Sequence, residues 1–260
     1  MTGPAAESLL SLHDIRVRLS GLQILDGVSI SVPQGTVTGL IGPNGAGKTT
    51  VFNVISGFVK PESGDVRYDG RIRKHIRAHR LTKMGISRTL QGVGLFASLS
   101  ALENVMLGGS SRVRSGLVSQ SLAMPWTDIE TERLRTRALE VMTELGIAEE
   151  AERLPGELPY PVQKKVALAR ALVCDPTLLL LDEPAGGVGA PDMEELERLI
   201  RSWVPKRTVL LVEHHMELVM SVCDLIWVLD AGKVIASGTP DEVRNNPAVL
   251  AAYLGEEGAA

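Results

Sequence analysis

The nine residues GPNGAGKTT (Gly42–Thr50) constrain this chain more than any other feature. From Gly42 to Thr49 they satisfy the pattern G-x-x-x-x-G-K-[ST]. They follow a short apolar run, TVTGLIG, and open a segment with helical character, KTTVFNVISGF. Strand, glycine turn and helix in that order are the context in which this pattern holds phosphate. Each residue type has a reason to be there. Gly45 and Gly47 let the backbone fold tightly round phosphate oxygens, and the loop N–H groups and helix N-terminus attract the anion. Lys48 is placed to reach the β- and γ-phosphates, and the Thr49 hydroxyl to ligate Mg²⁺. The nucleotide-contacting set is therefore Gly42, Pro43, Asn44, Gly45, Ala46, Gly47, Lys48, Thr49 and Thr50.

A second apolar strand, TLLLLD, ends in Asp182, followed by Glu183. Its continuous hydrophobic run reads as a buried parallel strand. An Asp-Glu pair after a strand is often only a turn. Downstream of a phosphate loop it gains meaning: Asp182 would hold Mg²⁺ through water and Glu183 would polarise an attacking water.

The remaining pattern supports an α/β core with a helical lobe inserted in it. Short β-like runs open the chain, and PESGDVRYDG reads as turn, strand and turn. The basic stretch RIRKHIRAHR reads as a solvated helix face. Residues from about Ser100 to Cys174 are mostly helical in pattern, with Gly108–Trp126 as a mobile loop. DMEELERLIRSW and MELVMSV then alternate as helices with TVLLVE and LIWVLD as strands. A hydrophobic content of 44% suits a substantial core, while a net charge of −4 and 3% aromatics speak against a nucleic-acid partner. Cys174 and Cys223 read as buried reduced thiols. MTGPAAESLL carries no signal-peptide pattern, and no stretch reaches the length of a membrane-spanning helix.

Taken together these residues resemble the ATP-binding subunit of an ABC transporter. GPNGAGKTTVFNVISGF, KMGISRTLQ, LFASLSALENVML, VEHHMELVM and GTPDEVRNNPAVLAAYLG narrow the likeness to the branched-chain amino acid, Liv-type importer ATPases. The resemblance implies a P-loop ABC ATPase core, that is, a RecA-like mixed sheet with an antiparallel β subdomain, plus an inserted helical subdomain. One domain would span 9–255, with 9–91 and 175–255 as core, 92–174 as the helical signature subdomain and 1–8 as a flexible arm. Gln91 matches the family's Q-loop glutamine, which senses metal and γ-phosphate. His214 matches the switch histidine, which contacts the γ-phosphate. Leu19 stands where the family often stacks an aromatic on adenine. The implied partners are transmembrane permease subunits, a second ATPase and, indirectly, a solute-binding protein. The implied location is the cytoplasmic face of the cell membrane. An ABC-type chromosome or repair ATPase would need a long coiled-coil insertion, and only about 110 residues separate Lys48 from Leu158.

The sequence departs from the family in one place above all. The subfamily signature reads approximately L-S-Y-G-Q-Q, whereas these positions hold Leu158, Pro159, Tyr160, Pro161, Val162 and Gln163. In the family, that serine and the nearby backbone N–H groups bind the γ-phosphate of ATP on a neighbouring subunit. Proline cannot donate, yet it is comfortable in a first helical turn. Gly189 likewise replaces an Asp or Asn that usually works across the same interface. The expectation is a chain equipped for its own nucleotide, weak toward its neighbour's, and paired with a sister ATPase. An ATP-binding clamp with little hydrolysis remains the alternative.

Overall fold

A computed structural model describes residues 8–73, 75–89, 92–110 and 125–257. They form two compact units, one from residues up to 81 together with those from 180 onward, the other from 82 to 179. The strands are β1 (Ser8–Leu19), β2 (Leu22–Pro33), β3 (Val37–Ile41), β4 (Ser63–Tyr68), β5 (Arg71–Arg73), β6 (Ile86–Arg88), β7 (Leu178–Asp182), β8 (Thr208–Val212), β9 (Leu225–Asp230) and β10 (Lys233–Gly238). The helices are α1 (Lys48–Ile55), α2 (Ala101–Gly109), α3 (Pro125–Glu144), α4 (Tyr160–Leu172), α5 (Ala190–Trp203), α6 (Met216–Val222), α7 (Pro240–Arg244) and α8 (Pro247–Glu257).

The first unit holds an antiparallel sheet ordered β2-β1-β4-β5 and a second sheet in which β10, β9, β3, β8 and β7 are successive neighbours. β3 is parallel to both β8 and β9, and β10 returns antiparallel beside β9. Every residue of β3, β7 and β8 is buried, which is why these strands are largely apolar, with Thr38 and Gly39 inside β3, Thr208 opening β8 and Asp182 ending β7. The Trp227 indole N–H donates to the Ser31 carbonyl at 2.9 Å, tying the two sheets together. α5 is strongly amphipathic and buries Leu196, Ile200 and Trp203. Cys223 is buried, and its Sγ would stand 2.9 Å from a Cβ added at Gly39, so helix and sheet approach closely there.

In the second unit, α2 opens on a reciprocal cap. The Ser100 side chain accepts from the Glu103 N–H, and Glu103 accepts from the Ser100 N–H. Arg170 on α4 donates to the Gly94 carbonyl at 2.8 Å and the Val93 carbonyl at 3.2 Å, pinning the segment after Gln91 to that helix. Burial depresses its guanidinium below the ordinary arginine value.

Two expectations are corrected. Ser8, assigned to a flexible arm, already belongs to β1, while residues 1–7 lie outside the described residues. The basic stretch is not a helix face: Arg71–Arg73 is the edge strand β5, and a 3-10 turn follows at Ala78–Arg80. Asp69 and Gly70, with φ of 51° and 67°, make a two-residue hairpin between β4 and β5. An Asp-Gly pair favours that left-handed turn over helix continuation. The loop expected at Gly108–Trp126 is largely outside the described residues, which omit 111–124. No helix among the described residues is long and apolar enough to cross a membrane.

Candidate functional site

The site is laid out along the carboxyl ends of neighbouring strands, where α/β sheets place their ligands. The loop after β3 carries Gly42–Lys48, the tip of β8 carries His214, and the tip of β7 carries Asp182 and Glu183. Since β8 lies between β3 and β7, these groups form one row. Leu19 is not on it. That residue is 43% exposed at the β1–β2 turn of the antiparallel sheet. Gln91 lies outside the described residues.

The loop after β3 is held from behind. The Ala46 N–H donates to the Pro43 carbonyl at 3.2 Å, and the Ala46 carbonyl accepts from the Gly232 N–H at 3.1 Å. The Gly232 carbonyl in turn accepts from the Asp26 N–H at 2.9 Å. Gly42, at φ 149°, could carry no side chain, because a Cβ there would collide with the Leu229 carbonyl. Gly47, at φ 104°, caps α1, and a Cβ on it would stand 2.7 Å from the Leu25 side chain. Pro43 and Ala46 are buried, whereas Asn44, Gly45 and Thr49 are exposed and Thr50 half-buried. Open space beyond Gly45, together with the first-turn amides of α1, makes a cradle suited to phosphate.

Lys48 is folded onto this loop. Its Nζ donates to the Gly42 carbonyl at 2.6 Å and to the Pro43 carbonyl at 2.8 Å. An ammonium tethered at the loop mouth is preorganised for phosphate oxygens, which outcompete neutral carbonyls for it. Lys48→Ala is therefore expected to weaken MgATP binding by about 10- to 100-fold, the equivalent of a charge-assisted bond. Equilibrium binding of a fluorescent ATP analogue checks this, with the thermal midpoint expected to stay unchanged.

Asp182 is 4% exposed at the end of β7. Glu183 is half-buried and has a left-handed backbone, φ 49°. That conformation costs a non-glycine residue roughly 1–2 kcal/mol and persists only where neighbours enforce it. The enforcement is visible: the Glu183 N–H donates to the Val212 carbonyl at 2.9 Å, and the Glu183 carbonyl accepts from the Gly186 N–H at 3.2 Å. The His214 side chain is 58% exposed, with its Nδ1 3.5 Å from Glu213 Oε2 and its ring against that of His215.

Sequence reasoning missed Glu213. It is 1% exposed, yet fully partnered. Its Oε1 accepts from the Ala185 N–H at 2.8 Å. Its Oε2 accepts from the N–H groups of His214 at 2.8 Å and His215 at 3.1 Å, and meets His215 Nδ1 at 3.0 Å. Burial pushes its pKa up, but the bonds from His215, Ala185 and His214 outweigh that and hold it below the ordinary 4.5. A carboxylate that only accepts requires the proton of His215 to sit on Nδ1. The signal in sequence was a charged residue closing an otherwise apolar strand, TVLLVE.

A depressed folded pKa stabilises the protein above the unfolded value and loses that contribution as pH falls through the folded one. The stability difference between wild type and Glu213→Gln is thus expected to shrink as pH falls below about 4.5. Urea unfolding of both proteins at each pH measures it.

The helix that carries the signature positions begins as the sequence suggests. α4 has Pro159 as its N-cap, at φ −56° and ψ 149°, without a side-chain cap bond, and Pro161 in its first turn. The helix is intact: the Gln163 N–H donates to the Pro159 carbonyl at 3.0 Å. Of the four positions Pro159–Val162, only Tyr160 and Val162 possess an N–H. Gly189 caps α5, also without a side-chain bond, at φ −79°. The nearest atom to a Cβ added there is Pro191 Cδ at 3.9 Å, so nothing steric demands glycine.

A phosphate loop after a central parallel strand, with paired carboxylates and a histidine at the neighbouring strand ends, defines a P-loop nucleoside triphosphatase. Comparison with known proteins takes the assignment further. The family model of the ABC transporter matches residues 25–186, and that of the branched-chain amino acid ATP-binding cassette transporter matches residues 233–259. The chain is 37% identical over 253 residues to the high-affinity branched-chain amino acid transport ATP-binding protein LivG of Salmonella typhimurium, spanning 96% of this chain and 99% of that protein. To the corresponding protein BraF of Pseudomonas aeruginosa it is 36% identical, over 95% of this chain and 98% of that one. A crystal structure of the ADP conformation of an ATP-binding cassette of an ABC transporter superposes with a TM-score of 0.83 at 30% identity, covering 96% of this chain and 99% of the other. The chain belongs to the ABC transporter ATP-binding family. As a member it is an ATPase coupled to transport, with the α/β P-loop core of that family.

Proposed function

We propose that this chain is the ATP-hydrolysing subunit of an importer for branched-chain or related amino acids, working beside a sister ATPase. It would sit on the inner face of the cell membrane against permease subunits and be served indirectly by a solute-binding protein. Its likeness to LivG and BraF over nearly their whole lengths supports the solute class. The single observation that carries the pairing is the contrast within the chain. The residues that would serve its own nucleotide are of the types this chemistry needs, while the helix that would serve a neighbour's nucleotide has Pro159 as its N-cap and Pro161 in its first turn.

The described residues fit MgATP. The exposed Thr49 hydroxyl and the buried Asp182 carboxylate would hold Mg²⁺, with Gln91 as a further ligand, and the bound ion would neutralise charge on the phosphates. The loop amides and Lys48 bind and orient the triphosphate. Glu183 orients the attacking water and draws its proton, and His214 steadies the γ-phosphate. Residues 9–255 then act as one cassette, with 92–174 as its signature-bearing helical part.

The two prolines also support a second reading, an ATP-binding clamp that turns over little. Steady-state ATP hydrolysis by the chain with and without the ATPase that co-purifies from native membranes separates the two. The proposal expects strong activity only in the mixture. A mixture no faster than the chain alone would favour the clamp.

A further inference from the structure

We propose that Glu213 is a positioning residue for hydrolysis, its one buried carboxylate fastening the turn that carries Glu183 to the loop that carries His214. This rests on the hydrolytic reading of those two residues. The fastening is a ladder of contacts between consecutive residues. The Glu183 N–H reaches the Val212 carbonyl at 2.9 Å, and two residues further along the Ala185 N–H reaches Glu213 Oε1 at 2.8 Å. The turn after β7 is thereby stapled at two points to the end of β8. The other oxygen, Oε2, gathers the His214 and His215 amides and the His215 ring within 3.1 Å. One side chain thus fixes both sides of the row.

The backbone of Glu183 explains why such fixing matters. A left-handed glutamate, at φ 49°, returns to a commoner conformation once its restraints are relaxed, and its carboxylate moves with it. A displacement of about 1 Å at a reacting group costs about 100-fold in rate. The phosphate loop is anchored separately, through Ala46, Gly232 and Asp26, so its grip on the nucleotide does not depend on Glu213. The cluster of Glu213, His214 and His215 has its donor atoms within 4.8 Å, the spacing of a metal site. Both Glu213 oxygens are already occupied by N–H groups, which makes it an anchor instead.

Only a carboxylate fits. Glutamine offers one acceptor oxygen, and its amide N–H groups would face N–H donors at the other end. Aspartate keeps both acceptors but is one methylene shorter. In the assembled transporter, Glu213→Gln is expected to lower kcat about 10- to 100-fold while KM for ATP and MgATP affinity stay within about threefold. Amide hydrogen exchange should quicken at residues 185, 214 and 215, with β3 and β8 as protected as in wild type. Glu213→Asp should recover part of kcat. Wild-type kcat in Glu213→Gln would overturn the proposal. So would a joint loss of kcat, affinity and β3–β8 protection, or failure of both variants to fold, since each marks a general structural anchor. A wild-type turnover insensitive to Glu183→Gln would instead overturn the hydrolytic reading itself, and this inference with it; intact dependence on Glu183 with no effect of Glu213 would sink this inference alone.

Discussion

Glu183→Gln in the assembled transporter is expected to lower ATP turnover by about 10²–10⁴-fold, the usual contribution of a positioned general base. The equivalent substitution in the sister ATPase is expected to slow turnover by less than about threefold, a rise of no more than about 0.7 kcal/mol in the barrier. The first half of this follows from the position of Glu183, one residue past buried Asp182, in a left-handed backbone held by Val212. Glutamine is nearly isosteric and keeps that backbone, so MgATP affinity should survive while the proton acceptor is lost. The second half follows from α4. The sister's nucleotide would meet Pro159 and Pro161, and a site already short of donors has little rate to lose. Turnover that tolerates Glu183→Gln but collapses with the sister's substitution would reverse the assignment.

Restoring the donors is the second large effect. The double substitution Pro159→Ser, Pro161→Gly is expected to raise ATP hydrolysis by the isolated chain about 10²-fold at concentrations that allow pairing. Serine supplies a hydroxyl at the N-cap of α4, its preferred place, and glycine returns an N–H to the first turn. The helix tolerates both changes, since its first-turn bond runs from the Gln163 N–H to the Pro159 carbonyl and involves neither side chain. The rise should depend steeply on chain concentration, because each restored signature acts on a neighbour's ATP. Unchanged turnover would mean that the prolines do not limit the chain.

Much of this was legible in sequence for a physical reason. A phosphate loop cannot vary much: Gly42 is forbidden a side chain by the Leu229 carbonyl, and Lys48 and Thr49 must follow where α1 begins. Buried parallel strands are largely apolar, so TLLLLD and TVLLVE announced themselves, and the polar tip of the first marked Asp182 and Glu183, whereas His214 was legible only through the family resemblance. What was hidden depends on tertiary context. A charge closing TVLLVE is the one local mark of Glu213; its importance comes from Ala185, 28 positions away in sequence. The left-handed backbone of Glu183 is likewise imposed by Val212 on another strand. β5 escaped because its arginines and Ile72 are exposed on a three-residue edge, too short for periodicity to register, although the Asp69-Gly70 pair signalled the hairpin.

By the proposed function, this chain grips and splits its own ATP with help from a neighbour it does not help in return. Vanadate trapping of a photoreactive ATP analogue in the native complex, with the labelled loops identified by mass spectrometry, tests it most directly. Trapped nucleotide is expected at the Gly42–Thr50 loop, with little at the sister's corresponding loop. Equal trapping at both, or trapping at the sister's alone, would contradict it.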